Sequence, residues 1–374
     1  MKPYGLVLAI TFFFSGCNSV SKEKITINNK KWVPKYAKGF SFEEKDGITY
    51  LNILNPWPGS SFEQQFPLVS EHDSLKTPES LAIKIPLKRW ATSSTSHVGF
   101  AEELNEIKSL KALSGANYVS SEDVQRGVNN NEIAELGQTG QPDVEWIIRN
   151  KIEVYLNFSI AENTSVQSLL EKVHIPVIYI GEWNEKHPLA RAEWIKVFGV
   201  LFDKQKQADS IFSTIEGNYL EWKKRAEIEE NSPNIISGSL YNGVWYAPQK
   251  NSYMQKFYED ANLNYVWKDL EYSGSLQLDI EFVFDTGQSA SIWLNSSESQ
   301  RLSSLEKLNP LISELSSVQN SRVYNTVKSK TSEGVLFYEK GVVRPDLVLK
   351  DLIQIGHPNL IKESKLQFFE KLRK

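Results

Sequence analysis

The sequence predicts an α/β protein in which two Rossmann-like lobes, each with a parallel central sheet, are joined by one long α-helix. Short apolar strands alternate with helical segments in both halves of the 374-residue chain, a pattern typical of parallel sheets. The segment from Pro188 to about Glu229 has no further proline and shows helical periodicity. The pattern DVEWIIRNKIEVYLN before this segment recurs after it as DIEFVFDTGQSASIWLN, which indicates two related lobes.

Residues 1–17 are predicted to be a lipoprotein signal peptide. The chain opens with MKPYGLVLAITFFFSGC, whose apolar run is too short to span a bilayer and whose small residues precede Cys17. This arrangement resembles a bacterial lipobox, with Phe14 where leucine is preferred. Cys17 is the only cysteine, so we expect it to be acylated and to anchor a periplasmic protein to a bacterial membrane. An ordinary signal peptide with an unmodified Cys17 is the alternative.

Residues 18–80 are predicted to form a polar tether followed by a β-rich extension, in which Asp46-Gly47 lies between two strands and is a strong hairpin signal. Residues 81–187 are predicted to form the N-terminal lobe. Its strands are SLAIKIPL, RWATSST, IEVYLNFS and IPVIYIG, and its helices are SHVGFAEELNEIKSLKALSG, ending at Gly115, and SVQSLLEKVH.

Residues 188–229 are predicted to form the inter-lobe helix. Pro188 suits a first helical turn, and apolar residues from Ile195 to Trp222 follow i, i+3/i+4, i+7 spacing. A single helix of this length would reach roughly 60 Å at 1.5 Å per residue and could lie across both lobes. The alternative is two helices joined by a turn near Asp203, and Gly217 is a further position at which the helix could bend.

Residues 230–374 are predicted to form the C-terminal lobe, related to the first by pseudo-symmetry. The internal repeat places Glu145 and Glu281 at equivalent positions, each two residues after an aspartate, Asp143 or Asp279. One interpretation is structural, because acids at a helix start cap it and interact favourably with its dipole. The other is functional: two matched acids on a rigid body would form a docking surface for a partner with matched basic residues.

The composition argues against several classes of function. A net charge of −4 gives no electrostatic reason to expect nucleic acid as a partner. The five histidines are scattered, so we expect no dedicated metal site. Ser94 lies near His97, but no nucleophile-elbow motif and no phosphate-binding glycine loop are present. We therefore expect no catalytic residues.

Four segments resemble motifs of the substrate-binding lipoproteins of ABC importers that carry iron–siderophore complexes, haem or cobalamin. They are HPLARAEWIKVFGVLF, GVWYAP, DANLNYVW and VYNT…GVLFYEKGVVRPDLVLKDLIQIGHPNL. The resemblance extends from about Ile83 to Leu360. It implies the class III periplasmic-binding-protein fold, in which a rigid helix joins two lobes and the solute lies in the cleft between them. In this family one glutamate per lobe pairs with arginines of the permease, and Glu145 and Glu281 match those positions.

The resemblance also implies a monomer that is not an enzyme and has no cofactor. Its partners would be an ABC permease with its ATPase, a small-molecule metal chelate and, through the lipid anchor, a membrane. One departure is Gln249-Lys250, which stands where similar sequences often carry paired glycines after the tryptophan–tyrosine strand. A bulkier, charged lip at this position could alter which ligand fits.

The expected solute is a ferric siderophore, because an anionic and partly aromatic chelate suits arginine and flat aromatic side chains. Cobalamin or haem, a scaffold without a ligand, and an enzyme that has recruited the fold remain alternatives. The aromatic candidates could instead be core residues, and Arg344 could instead form a surface salt bridge. The predicted ligand-binding residues are Ser94, Trp183, Trp245, Tyr246, Tyr338 and Arg344.

Overall fold

The structure is a computed structural model of the chain. It describes residues 30–70, 81–161, 164–272, 274–296, 300–326, 332–361 and 365–374. The predicted signal peptide, Cys17 and most of the predicted tether lie outside the described residues.

A five-stranded sheet forms the N-terminal extension. The Asp46-Gly47 turn joins two of its strands with both residues at positive φ, 52° and 79°, which confirms the predicted hairpin. The segment SLAIKIPL was assigned to the N-terminal lobe, but its strand pairs in parallel with the preceding strand of the extension. The strands, in their order across the sheet, are β1 (Lys30–Trp32), β2 (Phe40–Lys45), β3 (Ile48–Leu54), β4 (Glu63–Ser70) and β5 (Ile83–Ile85).

The N-terminal lobe is a parallel five-stranded sheet flanked by helices. Its helix SHVGFAEELNEIKSLKALSG was predicted to continue to Gly115, but it ends at Glu103, and Asn105 at φ 57° breaks the chain direction. Leu110–Leu113 then form a strand that the sequence analysis missed. The elements are β6 (Trp90–Thr92), α1 (Thr95–Glu103), β7 (Leu110–Leu113), α2 (Glu122–Asn129), β8 (Ala134–Glu135), α3 (Val144–Arg149), β9 (Val154–Asn157), α4 (Thr164–Glu171) and β10 (Val177–Tyr179), with sheet order β10-β9-β6-β7-β8.

Three helices, not one, follow the N-terminal lobe: α5 (Pro188–Glu193), α6 (Ile195–Leu201) and α7 (Gln205–Glu227). The predicted single helix over 188–229 is wrong, because Asp203 takes a left-handed conformation at φ 55° and the chain turns there. The inter-lobe helix is therefore α7, whose 23 residues span roughly 34 Å at 1.5 Å per residue. Gly217 does not interrupt it.

The C-terminal lobe repeats the α/β arrangement around a second five-stranded sheet. Four of its strands run parallel, and the last strand is antiparallel. The elements are β11 (Asn234–Ser237), β12 (Ser239–Tyr241), β13 (Val244–Ala247), α8 (Tyr253–Asp260), β14 (Asn264–Tyr265), β15 (Leu276–Asp279), α9 (Ile280–Gly287), β16 (Ile292–Leu294), α10 (Leu302–Glu306), α11 (Ser316–Gln319), β17 (Val323–Thr326), α12 (Leu336–Val343), α13 (Pro345–Gly356) and β18 (Phe369–Lys371), with sheet orders β14-β11-β16-β17-β18 and β12-β13-β15.

Helix packing joins the two lobes. The inter-lobe helix α7 packs against α6 on the N-terminal side and against α13 on the C-terminal side. Helix α12 crosses to the N-terminal lobe and packs on α1. At this crossing a Cβ added to Gly99 would lie 2.6 Å from the carbonyl oxygen of Glu339. The residue on α1 therefore has to be glycine for the helices to approach this closely.

Two buried glutamates fasten the extension to α5 and to the loop before it. The carboxylate of Glu193 accepts backbone N–H bonds from Lys35, Tyr36 and Ala37 at 2.9, 2.7 and 3.0 Å. Glu185 Oε1 accepts the next two backbone N–H groups, at residues 38 and 39, both at 2.9 Å. Charge-assisted bonds of this kind are about twice as strong as neutral ones. They hold the extension firmly against α5 and the loop before it.

Candidate functional site

The carboxyl ends of the N-terminal lobe's strands form one wall of the candidate site, the edge at which open α/β sheets bind ligands. Ser94 follows β6, Phe158 follows β9 and Trp183 follows β10. The Phe158 and Trp183 rings lie 5.6 Å apart, and both side chains are partly exposed. Two of the predicted ligand residues, Ser94 and Trp183, are therefore on this edge.

A buried polar network holds the loops of this wall in place. Ser96 Oγ donates to Glu182 Oε1 at 2.5 Å, and Thr92 Oγ1 lies 2.6 Å from His97 Nδ1. Burial opposes ionisation of Glu182, but its interactions with His97 and Ser96 hold its pKa below the usual value. Ser94 Oγ bonds Ser96 Oγ at 2.9 Å, whereas the His97 nitrogens face Thr92 and Glu182. The network fixes the loops and does not resemble a serine nucleophile with its base.

Helices α8 and α12 of the C-terminal lobe carry aromatic residues that are exposed or half-buried. Tyr338 on α12 is 56% exposed, and Tyr253 at the start of α8 is half-buried. The guanidinium carbon of Arg191, from α5, lies 4.1 Å from the centre of the Tyr253 ring. Arg191 and the two tyrosines thus connect α5 with the C-terminal lobe.

Trp245 is a correction to the predicted site. Its side chain is fully buried, stacks on Trp293 with the ring centres 4.8 Å apart, and donates from Nε1 to the Ser237 carbonyl at 3.1 Å. It is a core residue of the C-terminal lobe. Side chains alternate along a strand, so its neighbour Tyr246 points the other way and is 37% exposed.

Arg344 has an internal partner. Its guanidinium donates to both carboxylate oxygens of Asp346, at 3.0 and 2.9 Å, and lies 4.0 Å from Glu103. This bidentate pair, with the neighbouring acid, raises the pKa of Arg344 despite partial burial. Arg344 therefore has no free guanidinium with which to hold an anionic ligand, as was predicted for it. Its geometry matches the alternative prediction of a salt bridge.

Sequence reasoning missed Arg191. The segment HPLARAEW was interpreted as the start of the long helix and as part of a family motif, and all six residues of α5 are buried. The available signal was an arginine next to the apolar residues Leu189, Ala190 and Ala192. The residue became conspicuous only when packing placed it against Tyr253.

The two acids predicted to dock a partner are both exposed at helix starts. Glu145 lies in the first turn of α3 and Glu281 in the first turn of α9. Among the described residues, neither forms a hydrogen bond or ion pair. One of the two predicted aspartate caps is present. Asp143 Oδ1 accepts a hydrogen bond from the Trp146 N–H at 2.8 Å, whereas Asp279 makes no side-chain cap bond. Neither Glu145 nor Glu281 forms a capping hydrogen bond within the described residues. Capping bonds therefore do not explain why a glutamate occurs at both positions.

A cavity of about 580 Å³ lies between the extension and the loop that follows β10. Its walls include Tyr36 and Lys38 from the extension and Glu185 and His187 from the loop.

Within the described ranges, no group of three or more metal-ligating side chains occurs. No helix in those ranges is long and apolar enough to cross a membrane.

Two α/β lobes joined by the inter-lobe helix α7 have the architecture of a bilobal binding protein. Comparison with known proteins agrees. Residues 94–329, more than half of the chain, match the periplasmic binding protein family. The chain belongs to this family.

Relatives and solved structures extend the comparison. The chain is 27% identical to an uncharacterized lipoprotein of Methanocaldococcus jannaschii, over 98% of this chain and 94% of that protein. A periplasmic haem-binding protein of Pseudomonas aeruginosa has a similar fold, with a TM-score of 0.59 and 12% identity over 77% of this chain and 98% of that one. An ABC-type Fe³⁺-hydroxamate transport protein of Saccharomonospora viridis gives 0.53 and 16% identity over 72% and 93%. These two likenesses show the class III fold.

Proposed function

We propose that the protein is the substrate-binding component of an ABC importer and captures an iron chelate in the cleft between its lobes. The support for this proposal is family membership together with partly exposed aromatic side chains on both lobes. Trp183 and Phe158 come from the N-terminal lobe, and Tyr338 and Tyr253 come from the C-terminal lobe. Such surfaces suit flat, partly apolar chelates.

The class of chelate is proposed from the chemistry of the exposed aromatic side chains and from the solutes of proteins with a similar fold. Those proteins are described as binding haem or as transporting Fe³⁺-hydroxamate. A flat and partly apolar ferric siderophore suits partly exposed aromatic side chains such as Trp183 and Tyr338. Haem and cobalamin are the competing solutes, and no bound cofactor is required for capture.

The proposal also covers delivery of the solute to the permease and the location of the protein. Glu145 and Glu281 would pair with arginines of the permease, whose ATPase drives transport. Cys17 would carry the lipid that holds the protein on the outer side of a membrane, as a monomer. The relative that is named a lipoprotein supports the anchor. Because that relative comes from an archaeon, a bacterial membrane and a periplasmic location stay predictions.

Titration of intrinsic tryptophan fluorescence tests solute capture. Ferric siderophores, haem and cobalamin are added separately to the purified protein, and we expect quenching by an iron chelate because Trp183 lies at the cleft. The Trp183→Phe variant should bind with similar affinity but show a smaller signal change. Absence of binding for all three solute classes, checked by calorimetry, would contradict the proposal and favour a scaffold without a ligand.

A further inference from the structure

The cavity of about 580 Å³ between the extension and the loop after β10 is built from other residues than the solute edge. Its volume lies in the range of about 300–1,000 Å³ that is typical of small-molecule sites. In the loop, Glu182 and Trp183 contact the N-terminal lobe, whereas Asn184, Glu185 and His187 contact the extension. Among the described residues that line the cavity, none is proposed to hold the solute. The cavity is therefore a second candidate site.

Glu185, which lines this cavity, has one carboxylate oxygen to spare. The residue is only 7% exposed. Its Oε1 accepts three hydrogen bonds, from the backbone N–H groups of Lys38 and Gly39, both at 2.9 Å, and from Trp194 Nε1 at 3.2 Å. Its Oε2 forms no hydrogen bond with any described residue, yet it is not fully enclosed. This oxygen is therefore available to a group that enters the cavity.

The charge of Glu185 is not balanced by a cation. In the part of the chain that the structure describes, it forms no ion pair. Burial raises its pKa and the nearby Glu193 raises it further, although the hydrogen bonds to Oε1 act in the opposite direction. Glu193 differs, because both its oxygens accept hydrogen bonds and Lys196 Nζ lies 3.6 Å away. A buried carboxylate with an unused oxygen and no counter-charge favours a cationic donor such as an ammonium group.

The same cavity also carries positive charge. Lys38 and Lys186 line it, both are exposed, and neither forms an ion pair with another described residue. A further part of the wall is formed by the rings of Tyr36 and His187, which stack with their centres 5.4 Å apart. Burial lowers the pKa of His187, so its ring is mainly neutral at pH 7 and adds no cation beside the acid. The cavity thus offers one unbalanced acid and two available ammonium groups.

We propose that this cavity binds a short peptide as a zwitterion, with its amino terminus on Glu185 and its carboxylate on Lys38 or Lys186. An ammonium group brings three donors to the unused carboxylate oxygen. A dipeptide separates its charges by more than a free amino acid does, which suits a buried acid and exposed lysines. Leu54 and Ala190 add apolar wall for aliphatic side chains. The inference does not depend on the capture of an iron chelate.

Calorimetry with the purified full-length protein tests the two charges separately. The probes are leucyl-leucine, its N-acetyl derivative, which lacks the ammonium group, and its amide, which lacks the carboxylate. We expect leucyl-leucine to bind at least tenfold more tightly than the N-acetyl derivative, because the lost group pairs with a buried acid. It should bind at least threefold more tightly than the amide, because exposed lysines contribute less. Equal affinity for all three probes, or no binding of leucyl-leucine up to about 10 mM, overturns the inference.

Variants locate the binding. Glu185→Gln keeps an oxygen for the backbone N–H groups but removes the charge, so it should weaken leucyl-leucine at least tenfold and the N-acetyl derivative less than twofold. Lys38→Met combined with Lys186→Met should weaken leucyl-leucine at least threefold and leave the amide unchanged. The matched control, Lys31→Met with Lys84→Met, removes two exposed lysines of the extension that do not line the cavity. It should change none of the affinities.

The remaining outcomes are equally decisive. Binding of leucyl-leucine that survives both Glu185→Gln and the double variant of Lys38 and Lys186 lies outside the cavity and overturns the inference. If Glu185→Gln does not fold, as judged by its melting temperature, unchanged affinity in the double lysine variant overturns it. A wild type that binds leucyl-leucine but no ferric chelate, haem or cobalamin supports this site and contradicts the proposed solute capture, so the two proposals fail separately.

Discussion

The carboxylate of Glu339 accepts a hydrogen bond from the backbone N–H of Ser120 at 2.5 Å, and this bond joins the two lobes. Glu339 lies on α12, whereas Ser120 precedes α2. The glutamate is fully buried, and its second oxygen has no partner among the described residues. Burial raises the pKa of Glu339 to about 7, even though the bond from Ser120 acts in the opposite direction.

This pKa predicts how stability depends on pH. The unfolded chain releases the Glu339 proton near its ordinary pKa of 4.5, and the folded protein keeps the proton to about 7. The free energy of unfolding should therefore fall by about 2–3 kcal/mol between about pH 5 and pH 8. Glu339→Gln should flatten this dependence, as measured by urea unfolding across the pH range.

A control and a second group sharpen the pH test. Glu122→Gln changes an exposed acid in the first turn of α2 and should leave the pH dependence as in the wild type. Burial also raises the pKa of Asp351, to about 6, so a smaller fall should survive in Glu339→Gln. An equally steep fall in the wild type and in Glu339→Gln would show that other groups are responsible.

Two glycine substitutions should have opposite effects on stability. Gly99→Ala places a methyl group 2.6 Å from the Glu339 carbonyl oxygen and should destabilise the protein by about 1–3 kcal/mol through overpacking. Gly217→Ala meets no atom within 4 Å on the exposed face of α7, and it should stabilise by about 0.5–1 kcal/mol through helix propensity. Thermal unfolding measures both. A stabilising Gly99→Ala would contradict the close packing of α1 on α12.

Removing the Glu193 carboxylate should loosen the extension. Glu193→Ala leaves three backbone N–H groups without their acceptor and should cost about 2–4 kcal/mol of unfolding free energy. Limited proteolysis should then cleave near residues 33–39 faster than in the wild type. The control Glu221→Ala removes an exposed ion pair with Arg225 within α7 and should cost less than about 1 kcal/mol. Equal cleavage rates in all three proteins would refute the anchoring role of Glu193.

Glu145 and Glu281, the two acids predicted to dock the permease, should be needed for transport but not for solute binding. Glu145→Ala combined with Glu281→Ala should abolish uptake in cells, because the permease arginines would lose their partners. Solute affinity of the purified protein should stay unchanged. The matched control, Glu122→Ala with Glu306→Ala, removes one exposed helix acid from each lobe and should transport normally. Normal transport by the first double variant would show that the acids are not needed for docking.

Much of the architecture could be predicted because strand and helix patterns are local. The hairpin at Asp46-Gly47 and the parallel lobes follow from turn chemistry and apolar periodicity. The turn near Asp203 was the alternative to a single helix, because the apolar stripe continues through it. The left-handed backbone at Asp203 decides for the turn. The pairing of β5 with β4 depends on contacts between strands, which periodicity does not encode.

The site was harder to predict than the fold, because it depends on which side chains the packing leaves free. Trp245 and Tyr246 are adjacent in a strand motif, yet one is buried and the other exposed. Arg344 and Arg191 are both arginines near the lobe junction, but Arg344 forms a bidentate pair with Asp346, whereas Arg191 stacks on the Tyr253 ring. The contact between Arg191 and Tyr253 emerges only from tertiary structure.

The crossing of α12 onto α1 also has a consequence for biosynthesis. Helix α1 begins at Thr95, but the surface that covers it is encoded by Leu336–Val343. An emerging chain therefore cannot finish burying α1 until most of the C-terminal lobe has been made, since contacts distant in sequence form late.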